Sequence, residues 1–198
     1  MQFFEKLKAF DIILASQSPR RHNLLELTGI PFRVLAKPTS ENFPKNLEPP
    51  DVAMMLARQK AMAFTAELSN QRLIVIAADT IVVAGGKIVN KPSGYNQAVQ
   101  MLERLSGQKH KVITGVCICH QDQIRLFCET TYVYFRVLTP EEIQYYVTHF
   151  KPYDKAGGYG IQEWIGHVGI QRIEGSYPNV VGLPIERVFS ELMALTQS

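Results

Sequence analysis

Residues Leu73 to Pro92 read LIVIAADTIVVAGGKIVNKP, and this stretch decides the fold. Leu73 to Ala78 is an unbroken apolar run of strand length, as a strand buried on both faces requires. Asp79 and Thr80 interrupt it, and Ile81 to Ala84 resumes it. Gly85-Gly86 supplies the positive-φ pair of a tight hairpin turn, and Lys87 to Asn90 reads as the returning strand before Lys91-Pro92. A buried strand with an abrupt carboxylate, and a lysine returning beside it, suits an α/β enzyme presenting its reactive groups. Asp79 equally suits a turn or a helix cap, so the stretch alone leaves both roles open.

On the N-terminal side, Asp11 to Ala15 predicts a short buried strand. Ser18 then Pro19 predicts a helix start, with serine as N-cap and proline at the first helical position, and Gly29 stops the helix. Arg20 and Arg21 therefore fall in its first turn. Cations are disfavoured there by roughly 1 kcal/mol or less each. Two arginines beside free backbone N–H groups point either to a bound anion, phosphate above all, or to solvated side chains. Pro31 to Ala36 predicts a strand and Lys37 to Pro50 a proline-rich loop that holds Glu41. Asp51 predicts the cap of a helix to about Ser69, on which Arg58 and Lys60 read as a solvated face.

On the C-terminal side, Ser93 predicts a helix cap, with Ala98, Met101, Leu102 and Leu105 as its core face and Gly107 as its stop. Lys111 to Cys119 predicts a strand, whose Gly115 marks a bulge or a close backbone approach. Ile124 to Leu138 reads as a long strand, and Thr139-Pro140-Glu141-Glu142 as a capping box for a helix to about Phe150. Lys151 to Ile161 (KPYDKAGGYGI) carries Asp154 and Lys155 and is followed by Gln162 and Glu163; it suits an ordinary turn or a ligand-hugging loop. Ile165 to Glu174 reads as a strand, Gly175 to Pro184 as turns, and Ile185 to Leu195 as a last amphipathic helix. Alternating strands and helices, without repeats or a linker, predict one α/β domain spanning residues 1–198.

The chain has 198 residues, is 46% hydrophobic and carries a net charge of +3. That balance suits an anionic ligand and gives no basic face for nucleic acid. No apolar run reaches the length of a membrane span, and MQFFEKLKAF is too polar for a signal peptide. Cys117 and Cys119 form a C-x-C in an apolar run with no second pair, which reads as reduced sheet cysteines and favours the cytoplasm. P-loop, G-x-G-x-x-G, H-E-x-x-H and G-x-S-x-G motifs are absent. What remains is carboxylates (Glu41, Asp79, Asp154), bases (Arg20, Arg21, Lys60, Lys91, Lys155) and a helix start fit for an anion. That set suits metal-assisted attack of water on a polyphosphate.

SQSPRR after a strand, AADTIVV, GKIVNKP, LSGQKHKVITGV, DKAGGYGIQ and VVGLP occur in this order. Together they resemble the Maf family of nucleoside-triphosphate pyrophosphatases over nearly the whole chain, from about Ile12 to Leu192. The resemblance implies an α/β fold of two lobes around a central elongated mixed sheet, like the inosine-triphosphate pyrophosphatases. It implies hydrolysis of a nucleoside triphosphate to the monophosphate and pyrophosphate with a divalent cation, Mg²⁺ or Mn²⁺. A homodimer is implied as well. Asp79 matches the catalytic aspartate, as base or metal-held group, and Glu41 a metal ligand. Ser16, Arg20 and Arg21 match the phosphate-binding turn; Lys60, Lys91, Asp154 and Lys155 match further substrate-binding positions. Arg20, Thr80 and Gln162 match positions that choose the base, in the pattern of the dTTP and UTP subgroup rather than the 7-methyl-GTP one. Glu163-Trp164 stands where a glycine-rich turn is common in the family after the glutamine. The family's historical name also admits a non-catalytic regulator of cell division or septum formation.

Overall fold

The apolar run does form one strand: β3 (Leu73–Ala84) continues through Asp79 and Thr80 without a break, and only its tip leaves the core. The computed structural model describes residues 2–40, 42–44 and 46–195. On one side β3 pairs in parallel with β1 (Asp11–Leu14), through Leu14↔Ile76, and β1 pairs in parallel with β2 (Arg33–Val34). On the other side lies β5 (Lys109–His120), then β6 (Gln123–Phe135), then β7 (Ile170–Glu174), the last antiparallel to β6. β4 (Lys87–Val89) returns antiparallel on the end of β3 after Gly85 and Gly86, at φ 57° and 75°. The fold is therefore α/β on a mixed sheet of seven strands.

The chain divides into two compact units, and β3, β5 and β6 each start in one and finish in the other. The first comprises Met1–Asp79, Thr114–Glu129 and Gly182–Ser198. Its helices include α1 (Gln2–Lys8), α2 (Pro19–Glu26) and α3 (Pro49–Met62). Ala57, Ala61 and Phe64 pack with Ile13, Val75, Ala77, Cys117 and Cys119 in one buried cluster. Small residues let α3 lie close on the sheet. Gly115 is the limit of that approach: a Cβ there would stand 2.3 Å from the Ala53 carbonyl carbon and oxygen. Cys117 and Cys119 are free thiols buried in this core.

The second unit comprises Thr80–Ile113 and Thr130–Val181. It contains α4 (Tyr95–Leu105) packed on α5 (Pro140–Phe150), then α6 (Trp164–Gly169) and α7 (Tyr177–Val181). α8 (Ile185–Leu195) closes the first unit. The capping box of α5 forms as expected, Thr139 accepting from the Glu142 N–H while the Glu142 carboxylate accepts from the Thr139 N–H.

Several local expectations are corrected. Glu48, not Asp51, holds the N-cap position of α3, because Pro49 and Pro50 are pre-set for the first helical turn. The helix ends at Met62 and only a short 3₁₀ turn follows at Glu67–Ser69. Gly94 replaces Ser93 as the N-cap of α4. The strand expected from Ile165 begins only at Ile170, after the α6 turn, and α7 lies inside the turn-rich stretch. No helix of the described residues is long and apolar enough to cross a membrane.

Candidate active site

In the first unit, β1 ends at Leu14 beside Ile76 of β3, and the chain turns away through Ala15 and Ser16. Asp79 stands three residues past Ile76, where its strand outruns its parallel neighbour. Ligands of open α/β sheets collect at such strand ends. Ser16 is 7% exposed, and its hydroxyl accepts the Ser18 N–H at 3.2 Å and the Arg21 Nη1–H at 3.3 Å. Ser18 occupies the N-cap position of α2 as predicted, but its own side chain makes no capping bond; Ser16 folds the turn instead. Arg21 Nε donates to the Gly182 carbonyl at 2.7 Å. The guanidinium is thus clamped from two sides, beside the first turn of α2, where Arg20 also lies half-buried.

Lys60, expected on a solvated face, lies in the last turn of α3 and forms an ion pair with Asp79. Their side chains are only 19% and 14% exposed. A pair this withdrawn from water is fixed in geometry, and removing either partner leaves a costly charge. The close packing of α3 on the sheet positions it. Among the described residues no three His, Cys, Asp or Glu side chains gather as a metal site. The Asp79 carboxylate is of the ligand type that Mg²⁺ takes, since that ion binds through one or two carboxylates with phosphate oxygens completing its shell. Glu41, the other expected metal ligand, lies outside the described residues.

In the second unit, Thr80 follows Asp79 on β3, so its side chain takes the opposite face. Lys91 is exposed just after β4. Lys155 binds Asp154 Oδ1 at 2.7 Å and Glu163 Oε1 at 3.0 Å, with only 10% of its side chain exposed. The other Glu163 oxygen accepts the Tyr146 hydroxyl, and that hydroxyl accepts the Gly160 N–H at 3.0 Å. Burial, and then the Glu163 carboxylate, push the Tyr146 phenol well above its ordinary value, so it stays a donor. Gln162 is exposed among these held residues.

The expected residues thus come together as Ser16 with Arg21, Lys60 with Asp79, and Asp154 with Lys155. Three participants went unassigned in the sequence. Glu163 read only as the residue after Gln162; Tyr146 looked like its neighbour Tyr145; and Gly182 acts through its carbonyl, which leaves no side-chain signal.

The description Maf-like protein fits residues 11–195 of this sequence. The chain belongs to the Maf-like protein family. Among its relatives, a protein of Porphyromonas gingivalis is 45% identical over 98% of both chains. One of Cytophaga hutchinsonii is 46% identical over 96% of this chain and 86% of its own. One of Bacteroides fragilis is 44% identical over 96% and 98%. Each of the three bears the name dTTP/UTP pyrophosphatase. The solved structure of the Staphylococcus aureus Ham1 protein overlaps 63% of this chain and 71% of that one, at 16% identity and a TM-score of 0.45.

Proposed function

We propose that this Maf-like protein hydrolyses dTTP and UTP to the nucleoside monophosphate and pyrophosphate. The observation that carries the reading is the withdrawn Lys60–Asp79 pair, set at the sheet end that also bears the Ser16–Arg21 clamp. Arg21 is anchored through Nε to the Gly182 carbonyl and through Nη1 to the Ser16 hydroxyl, so a phosphate meets a guanidinium already oriented. Arg20 and the first-turn N–H groups of α2 add to the same charge complement.

Asp79 takes a proton from the attacking water, which bonds to the α-phosphorus as the bridge to the β-phosphate breaks and pyrophosphate leaves. Lys60 holds the Asp79 carboxylate for that transfer and offsets charge on the phosphates. Lys91 contributes a further cation. Asp79 and Glu41 would hold a Mg²⁺ or Mn²⁺, which would supply neutralisation of the phosphate charge. Thr80 and Gln162, with Arg20, choose the base; a glutamine amide matches the donor and acceptor on one edge of uracil and thymine. Asp154 and Lys155 serve the nucleotide through the loop they share with Gln162. The reduced thiols of Cys117 and Cys119 support a cytoplasmic setting. A homodimer follows from the family resemblance.

Pyrophosphate and phosphate release from a panel of nucleoside triphosphates, with Mg²⁺ or Mn²⁺, tests the reading. Pyrophosphate and monophosphate from dTTP and UTP are expected. Preference for 7-methyl-GTP would keep the reaction and discard the base assignment. No release from any nucleotide by folded protein would favour a non-catalytic role in cell division.

A further inference from the structure

The loop from Lys155 to Gly166 is locked on both sides of Gln162. Upstream, Gly160 packs tightly beneath the ion pair: a Cβ would lie 2.9 Å from Glu163 Cδ and 3.1 Å from Lys155 Cε and would push on both side chains. Its N–H is bound by Tyr146, which is fully buried in α5. Ile161 follows with its carbonyl pressed against Gly166, where a Cβ would come within 1.9 Å of the oxygen. Downstream, Glu163 is tied to Lys155 by one carboxylate oxygen and to Tyr146 by the other. The backbone at 160, 161 and 163 is therefore fixed, and the Gln162 side chain stands exposed from a rigid base.

The charges point the same way. The Lys155 ammonium is shared between two carboxylates and mostly withdrawn from solvent. A cation so compensated offers little net field to a phosphate. It is suited instead to holding Glu163, whose carboxylate it shares with Tyr146. An amide discriminates between bases only when its donor and acceptor ends are held in place, since a mobile one pays ordering entropy and turns to suit either pattern.

We propose that Glu163 is a positioning residue that sets nucleotide choice by bracing the loop under Gln162, and that Lys155 acts through this brace rather than on the phosphates. The proposal rests on Gln162 reading the base. The test compares wild type with Glu163→Ala, Glu163→Gln, Lys155→Met and the Lys155→Met/Glu163→Ala pair on dTTP, UTP, CTP and GTP, with the melting temperature of each. Glu163→Ala is expected to raise KM for dTTP and UTP about 10-fold, keep kcat within about 2-fold, and narrow the preference over CTP about 10-fold. Glu163→Gln, which still accepts from Tyr146, recovers most of the ranking. Lys155→Met repeats the Glu163→Ala pattern, and the double variant is no worse than either single one. Should Glu163→Ala fail to fold, Tyr146→Phe carries the same test from the other end of the brace.

Wild-type KM and ranking in folded Glu163→Ala would overturn the proposal. So would a fall in kcat on all four nucleotides in Lys155→Met, which would place that lysine on the phosphates. A wild-type ranking indifferent to Gln162→Ala would overturn the base-reading assignment itself, and the brace with it.

Discussion

Gly115→Ala tests whether the approach of α3 to the sheet positions the reactive pair. The added Cβ would sit 2.3 Å from the Ala53 carbonyl carbon and oxygen and 2.5 Å from the Met54 nitrogen. Ordinary contact begins at 3.4 Å, so α3 must retreat by roughly 1.1 Å. All three obstructing atoms are backbone, and none can rotate aside. Overpacking a core costs about 1–3 kcal/mol where side chains can yield. We therefore place this substitution near the top of that range, about 3 kcal/mol. For a chain of this size that lowers the melting temperature by about 6–12 °C. Lys60 lies roughly two turns beyond Ala53 on the same helix, so the retreat also shifts its ammonium relative to Asp79. A displacement of about 1 Å at a positioning group reduces turnover by 10-fold or more, even in folded protein. Thermal unfolding followed by circular dichroism, with turnover measured well below the transition, reads both effects. A melting temperature within about 2 °C of wild type, with full turnover, would refute the packing argument.

Two pH dependences follow from groups with clear physical causes. His110 is 2% exposed, and burial holds its pKa to about 4 against an ordinary 6.5. The unfolded chain thus takes up a proton first, and stability falls as pH drops from about 6.5 to 4, by about 3 kcal/mol. The stability gap between wild type and His110→Gln in urea titrations should shrink across that window; parallel curves would remove the assignment. Glu142 is held below the usual carboxylate range, chiefly by its hydrogen bonds to Arg136 and then by the Thr139 N–H. Its contribution is present above its ordinary value of 4.5 and is lost as pH falls through the lower folded value. The melting-temperature difference between wild type and Glu142→Gln should close on acidification below that point and stay constant from about pH 6 to 8.

The elements written in local signals were legible before the structure was known. The run from Leu73, the Gly85-Gly86 turn and the Thr139 capping box each depend on neighbours a few residues away, and each forms as read. The misread stretch after Ile165 is rich in β-branched residues, which favour a strand. It makes a helical turn because Gly166 can lie against the Ile161 carbonyl, a contact that local pattern does not encode. Likewise α7 hides among turn residues. It is secured by Asn179, fully buried and donating to the Val112 carbonyl and the Thr131 hydroxyl. In the site, the motif residues were visible but their partnerships were not. Lys60 looked like any helix-surface lysine until the packing of α3 set it beside Asp79. Gly182, 161 residues from Arg21, orients that arginine without any sign in the motif.

In the proposed reaction Asp79 performs the proton transfer while other groups hold the nucleotide. The decisive experiment is pyrophosphate release from dTTP by Asp79→Asn, beside wild type and with nucleotide binding measured on the same samples. A fall in kcat of about 10²–10⁴-fold, as removal of a general base produces, is expected with binding retained. Turnover near the wild-type rate, in a variant that folds and binds, would contradict it.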